Sequence, residues 1–224
     1  MEFFESLLVW LHVLLFVYWL GGDLGVFYSS KFRNSSKYEP KTRALIGKIT
    51  ANVDMAPRTT MVLMIPIGFS LVALRGLWEI SNYYIIIFWV FGIMWLFLVW
   101  WLHLNHDSSK KQLWIKIDYF IRWFLLVVLS LSAISSFIFL TPFNQGWLAI
   151  KVLLFAGTIF CGIMIRVSAK PYIKAFQKML SEGSSPELEK EINVSASTAR
   201  SWVKMIWLLI SIAAFIGIWK PTIF

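Results

Sequence analysis

YIIIFWVFGIMWLFLVWWLH, residues 84–103, runs for 20 positions without an Asp, Glu, Lys or Arg. About 20 mainly apolar residues is the length at which a helix crosses the hydrocarbon core of a bilayer, where only a helix satisfies its own backbone hydrogen bonds within one segment. Five more stretches of the same kind lie around it, at 4–28, 58–78, 119–140, 147–165 and 202–218. Apolar residues make up 58% of the 224 and charged residues 15%, which belongs to the membrane class and not to soluble domains. The expected fold is therefore all-α, an integral membrane bundle of six transmembrane helices forming one helical domain across residues 1–224. Regular alternation and Asn-Gly hairpins, the marks of a β-barrel, are missing from the sequence.

Charge sets the expected orientation. Of the 21 Lys and Arg residues, 17 fall between spans one and two, three and four, or five and six, counting those at the span edges. The opposite side has only Arg75, near the end of span two, and Lys220. This is the positive-inside pattern, so these three loops are expected in the cytoplasm and both termini outside, as in a bacterial cytoplasmic (inner) membrane protein. The net charge of +9 is thereby a topology signal with contact to the lipid bilayer, and no nucleic-acid partner is expected. Glu2 and Glu5 stand where a secretory signal carries Lys or Arg, so the first span is expected to remain. One cysteine, Cys161, leaves no internal disulfide and no Cys-based zinc site.

Trp78, Tyr83, Tyr84, Trp147 and Trp219 mark one proposed interface, and Trp101, Trp114 and Trp202 the other. Pro66 lies within span two and should kink it, while Pro142 stops span four. Residues 41–55 read as a helix lying along the membrane surface, with Ala44, Ile46, Ile49 and Val53 broadly on one side. Residues 181–191 read as a turn followed by a short solvated helix.

Two spans carry an ionisable residue well inside, His12 and Lys151. An uncompensated charge in the bilayer core costs a few kcal/mol even on lenient scales, so such residues mark functional sites or face the protein interior. His12 is eight residues below Phe4, about 12 Å deep, and Lys151 four below Trp147, about 6 Å deep with a side chain long enough to move several ångström. The two share a layer if spans one and five are neighbours. His12, Phe16, Trp19 and Asp23 follow i, i+4, i+7, i+11 spacing and form one stripe. Gly21 and Gly25 form a small-xxx-small pair for close helix approach. Lys151, Phe155, Thr158, Gly162 and Arg166 make a comparable stripe on span five. The bland reading has His12 bonded to a carbonyl and Lys151 reaching the interface; the functional one has both lining an apolar pocket.

A second layer is expected at the cytoplasmic edge, where Asp23, Asp54, Arg58, Arg122 and Arg166 fall at one depth. An Asp23–Arg58 ion pair tying the first two spans is one reading. An anion site built from Arg58, Arg122 and Arg166 is the other. His103 and His106, at i, i+3, suggest either two interfacial histidines or a metal site. His103 lies about 16 Å from His12 in depth, so no single haem within one chain takes both as axial ligands. A haem on His12 would need a methionine, another group, an open position, or His12 of a second copy in a homodimer.

LHVLLFVYWLGG, residues 11–22, resembles the first helix of a membrane superfamily that includes copper-resistance protein D and the HemJ-type protoporphyrinogen oxidases, with His12, Trp19, Gly21 and Gly22 in matching places. Met64, Ile65 and Pro66, with Gly76, Leu77 and Trp78, are similar to its proline-containing second helix; residues 147–154, WLAIKVLL, are similar to its Trp-Leu-x-x-Lys-Leu helix. The resemblance implies a helical bundle in which His12 ligates haem b iron or contacts a porphyrin, with Phe16 and Trp19 as walls and Lys151 near propionates or substrate carboxylates. Where the oxidases carry a further His after the helix Lys, this chain has Cys161 and Arg166.

The function expected on that basis is a haem-associated redox protein, oxidising a porphyrinogen or passing electrons to a quinone. Copper transport is the alternative, with Met61 and Met64 at i, i+3 and Met94, Cys161 and Met164 as further soft ligands. A non-catalytic subunit of a membrane complex is the third reading. No P-loop, Rossmann glycine pattern or His-Glu-x-x-His motif is present.

Overall fold

A computed structural model describes residues 2–78, 80–105 and 110–223. Among them it forms seven helices: α1 (Glu2–Arg33), α2 (Pro40–Val53), α3 (Met55–Leu74), α4 (Asn82–Leu104), α5 (Lys111–Phe139), α6 (Gly146–Glu182) and α7 (Pro186–Trp219). The protein is all-α, and six candidate membrane spans lie among the described residues, α2 and α3 counting as one.

The six spans close a ring. Helix α1 packs on α3, α3 on α4, α4 on α5, α5 on α6, α6 on α7, and α7 returns to α1. Lipid gives apolar side chains little reason to associate, so close packing of small residues has to hold such a ring. The contacts show this. A Cβ on Gly22 of α1 would lie 2.6 Å from Pro57 Cδ of α3, and one on Gly92 of α4 would lie 3.0 Å from Pro66 Cγ. A Cβ on Gly157 of α6 would lie 3.2 Å from Leu209 Cδ1 of α7. The close pair on α1 is thus Gly22 with Gly25, the latter against Val53; Gly21, expected at the contact, faces open space. Gly22 and Gly25 share the side of α1 turned to α3 and α2, and Gly21 lies past it.

Inside the ring, Trp19, Val62, Trp95, Ile159 and Ile206 meet in one buried core. Outward-facing residues such as Trp10, Val17, Ile93, Phe97 and Phe124 are exposed and apolar, as a lipid-facing surface requires. Helix α3 runs unbroken through Pro66, whose carbonyl accepts from Ser70 Oγ at 2.7 Å. Helix α5 ends at Phe139, with Leu140 left-handed two residues before Pro142.

At the basic end the helices outrun the bilayer. At ~1.5 Å per residue, the 37 residues of α6 and 34 of α7 reach roughly 50–55 Å, well past a core of ~30 Å. Residues 187–191 are therefore not a separate short helix. Gly183 (φ 92°) and Ser185, whose Oγ accepts from Leu188 N at 3.3 Å, turn the chain, and α7 then runs on to Trp219. Ala175, Met179 and Ile192 form a small core of their own there. Helix α2 belongs to this cap. It leads into α3 through Asp54, itself helical (φ −63°, ψ −15°), and packs on α1 instead of lying apart on the surface. Its inward side carries Arg43 and Thr50, while Ile49 is exposed. Arg43 grips Glu189 with two nitrogens at 2.5 and 3.2 Å and gives Nε to the Arg33 carbonyl at 2.8 Å.

Candidate functional site

The polar groups of the ring interior fall into two layers, called outer at the end where α1 begins and inner at the basic end. In the outer one, the stripe read from the sequence does face inward: His12 and Phe16 are half-buried, Trp19 and Asp23 buried. His12 rests against α3 at Gly68, where a Cβ would lie 3.7 Å from its Cε1. Its Nδ1 is buried and has no hydrogen-bond partner. Lys151 of α6 folds over Gly217 of α7, its Nζ occupying the space a side chain there would need, and lies 6.0 Å from the centre of the Trp147 ring. His12 and Lys151 are within electrostatic reach of one another, and Arg75 acts on both. Arg75 is tied to Glu5 at 2.8 Å.

Helices α1 and α6 are not adjacent in the ring; their backbones make no close approach. The two stripes instead face each other across the interior, where Trp19 meets Phe155 edge-on at 6.1 Å. Aromatic bulk bridges a distance that neighbouring helices would have closed. A cleft of about 570 Å³ near this end is lined by Glu2, Glu5, Ser6, Val9, Trp10 and Arg75.

The inner layer centres on a residue the sequence reading left out. Asp118, fully buried on α5, accepts from Trp95 Nε1 at 2.9 Å, from Arg122 Nε at 3.0 Å and from Arg166 Nη1 at 2.5 Å. Arg122 also points Nη1 at Met61 Sδ, 3.5 Å away, and stacks over Trp95 at 5.4 Å. Arg122 and Arg166 are thus brought together as expected, but through a carboxylate. The expected Asp23–Arg58 pair is absent: Arg58 bonds Asp54 one helical turn before it, a partner it reaches without crossing between helices. Asp23 is buried with Oδ2 unpartnered, beside the Trp19 and Trp207 indoles; Trp207 Nε1 is likewise unpartnered.

A cleft of about 180 Å³ opens at this layer between Arg58, Val99, Leu102, Lys111, Ile115 and Arg166. The i, i+4 spacing of Asp118 and Arg122 was the signal that could have found the hub. Asp118 lies one residue before the apolar stretch 119–140, where hydropathy gives it no weight.

His103 meets Asn52 Oδ1 through Nε2 at 3.0 Å, and His106 lies outside the described residues. Among the described residues no group of three or more His, Cys, Asp or Glu side chains could hold a metal ion. Met94 is exposed on α4 and Cys161 is buried in α6. Neither cleft is lined by His12.

Fold and site together define the class: a multi-pass helical membrane protein with ionisable side chains inside its ring. No family model, curated protein or solved structure matches the chain.

Proposed function

We propose that this chain is a haem-associated redox protein of a bacterial cytoplasmic membrane, its basic end inward, with His12 as the iron ligand. One observation carries the proposal: a buried imidazole nitrogen in a membrane span, unpartnered, within electrostatic reach of an ammonium. Leaving such a polar atom unmatched is unfavourable unless a ligand completes it. In donor chemistry the residues fit a haem b. Imidazole is a standard axial ligand, and Lys151 would offset a propionate where the dielectric constant is low. When bound, the group would supply one-electron chemistry. Phe16 and Trp19 would wall the site, and Lys151 would equally suit the carboxylates of a porphyrin substrate. The resemblance of residues 11–22 and 147–154 to the copper-resistance protein D and HemJ superfamily supports this reading, as does the pairing of His12 with a cation. A quinone as electron partner and a homodimer supplying a second His12 are further parts of the proposal.

The copper alternative draws no support from Met61, whose sulfur already accepts from Arg122. The role of complex subunit has no particular observation behind it.

The test is direct. Protein purified in detergent with added haem should show a Soret band, and His12→Ala should abolish it. Lys151→Met should keep the band but weaken haem retention by about tenfold, the loss of one charge-assisted contact. A colourless wild-type preparation after haem supplementation would overturn the proposal.

A further inference from the structure

We infer that the cleft between α3, α4, α5 and α6 is a binding site for a phosphate-type anion that carries an apolar tail. The reasons begin with charge. Three guanidiniums of the inner layer, Arg58, Arg122 and Arg166, share two carboxylates, Asp54 and Asp118. The third acid, Asp23, interacts with Asp54 and with neither cleft arginine. Among the described residues the layer therefore keeps a surplus positive charge at a depth where solvation is incomplete. A resident anion neutralises it.

Geometry points the same way. Arg58 reaches Asp54 with Nη2, and Arg166 reaches Asp118 with Nη1. Each guanidinium carries five N–H donors, so both retain donors for the cleft their side chains line. Their side chains are 43% and 23% exposed, so the cations are reachable from outside while their carboxylate partners hold them in place. Planar forks of this kind match tetrahedral phosphate oxygens, and a lysine adds a point charge. The remaining walls, Val99, Leu102 and Ile115, are wholly apolar. A site with cations on one side and aliphatic side chains on the other matches an amphiphile at the membrane boundary.

Size selects the part that enters. At about 180 Å³ the cleft is well below the ~300–1,000 Å³ of pockets that enclose a drug-sized ligand, so it takes a headgroup and the start of a chain. Phosphate chemistry of this kind comes either from an anionic lipid headgroup or from free phosphate, and the experiment separates them.

Full-length protein in neutral detergent would be mixed with dioleoylphosphatidylglycerol or dioleoylphosphatidylcholine and examined by native mass spectrometry. In parallel, sodium phosphate would be added and thermal unfolding followed. Retention of the anionic lipid about tenfold above the zwitterionic one, falling to equality in the Arg58→Gln/Lys111→Gln double variant, establishes the site with lipid as the source. A phosphate-dependent rise in unfolding temperature, lost in the same variant, establishes it with free phosphate as the source. Leu102→Trp, which fills the apolar half, should lower lipid retention while leaving any phosphate effect in place. Equal retention of both lipids with no phosphate effect would sink the inference. So would an undiminished response in a double variant that unfolds at the wild-type temperature.

Discussion

The two polar layers inside the ring treat charge in opposite ways. The inner layer surrounds a fully buried carboxylate with three donors from α4, α5 and α6 and so turns three spans into one unit. The outer layer gathers His12, Lys151 and Arg75 around no buried acid, and leaves an imidazole nitrogen unmatched. Satisfied buried networks fix a structure; unsatisfied ones persist where something else completes them. Arg122, which looks functional by depth alone, is anchored on Asp118 and Met61 although its Nη2 is buried without a partner, whereas His12 Nδ1 has no partner and no such anchor beside it.

The sharpest way to break that contrast is Asp118→Ala. It strips Arg122, 3% exposed, and Arg166 of their shared acceptor and leaves two cations facing each other. Removing one partner of a buried ion network typically costs ~3–5 kcal/mol. Thermal unfolding in detergent should show the loss as a large drop in midpoint. A variant as stable as wild type would mean that the inner layer does not anchor the ring.

Packing gives the next test. Gly22→Ala at the inner end of the α1–α3 seam pushes a methyl against the Pro57 ring, which has no rotamer to escape to. Overpacking of this kind costs roughly 1–3 kcal/mol. Gly68→Ala, at the outer end of the same seam, meets His12 Cε1 at an ordinary 3.7 Å and gains helix propensity of about 0.5–1 kcal/mol. The first variant should melt below wild type and the second at or above it. Equal losses would show that the two ends of the seam are packed alike.

How much of this was legible in the sequence follows from what each signal reports. Hydropathy reports burial in lipid, so all six spans were found, with ends misjudged where helices α6 and α7 continue into water as a packed pair. Periodicity reports which side of one helix faces inward, and it placed His12, Phe16, Trp19 and Asp23 together. It cannot report which helices close the ring, so the adjacency of α1 and α6 stayed a condition, and α7 stands between them. Trp95 shows why the hub was missed. Within YIIIFWVFGIMWLFLVWWLH a tryptophan counts as apolar, yet its indole N–H is one of three donors that settle Asp118. Arg58 likewise found its partner four residues away, a local contact that depth arithmetic between spans does not weigh.

The smallest effect, and the one that bears most on function, is expected for Lys151→Met. Among the described residues no carboxylate pairs with the Lys151 ammonium; Arg75 and Lys220 act on it as like charges, and the Trp147 ring centre lies 6.0 Å away. Like charges and burial both oppose a cation there, whereas methionine has a similar length and no charge to desolvate. The ligand-free variant should therefore unfold later than wild type, by about 1 kcal/mol. A structural lysine would give the reverse, since a side chain that stabilises the ring by its charge cannot be removed with a gain. Saturating haem should then reverse the order, because a ligand stabilises only the state that binds it, and the lysine form binds more tightly. A crossover of the two melting curves with ligand would show that Lys151 is kept for binding at a cost to the empty fold. Parallel curves would reduce the outer layer to a snorkelling cation and a badly placed imidazole.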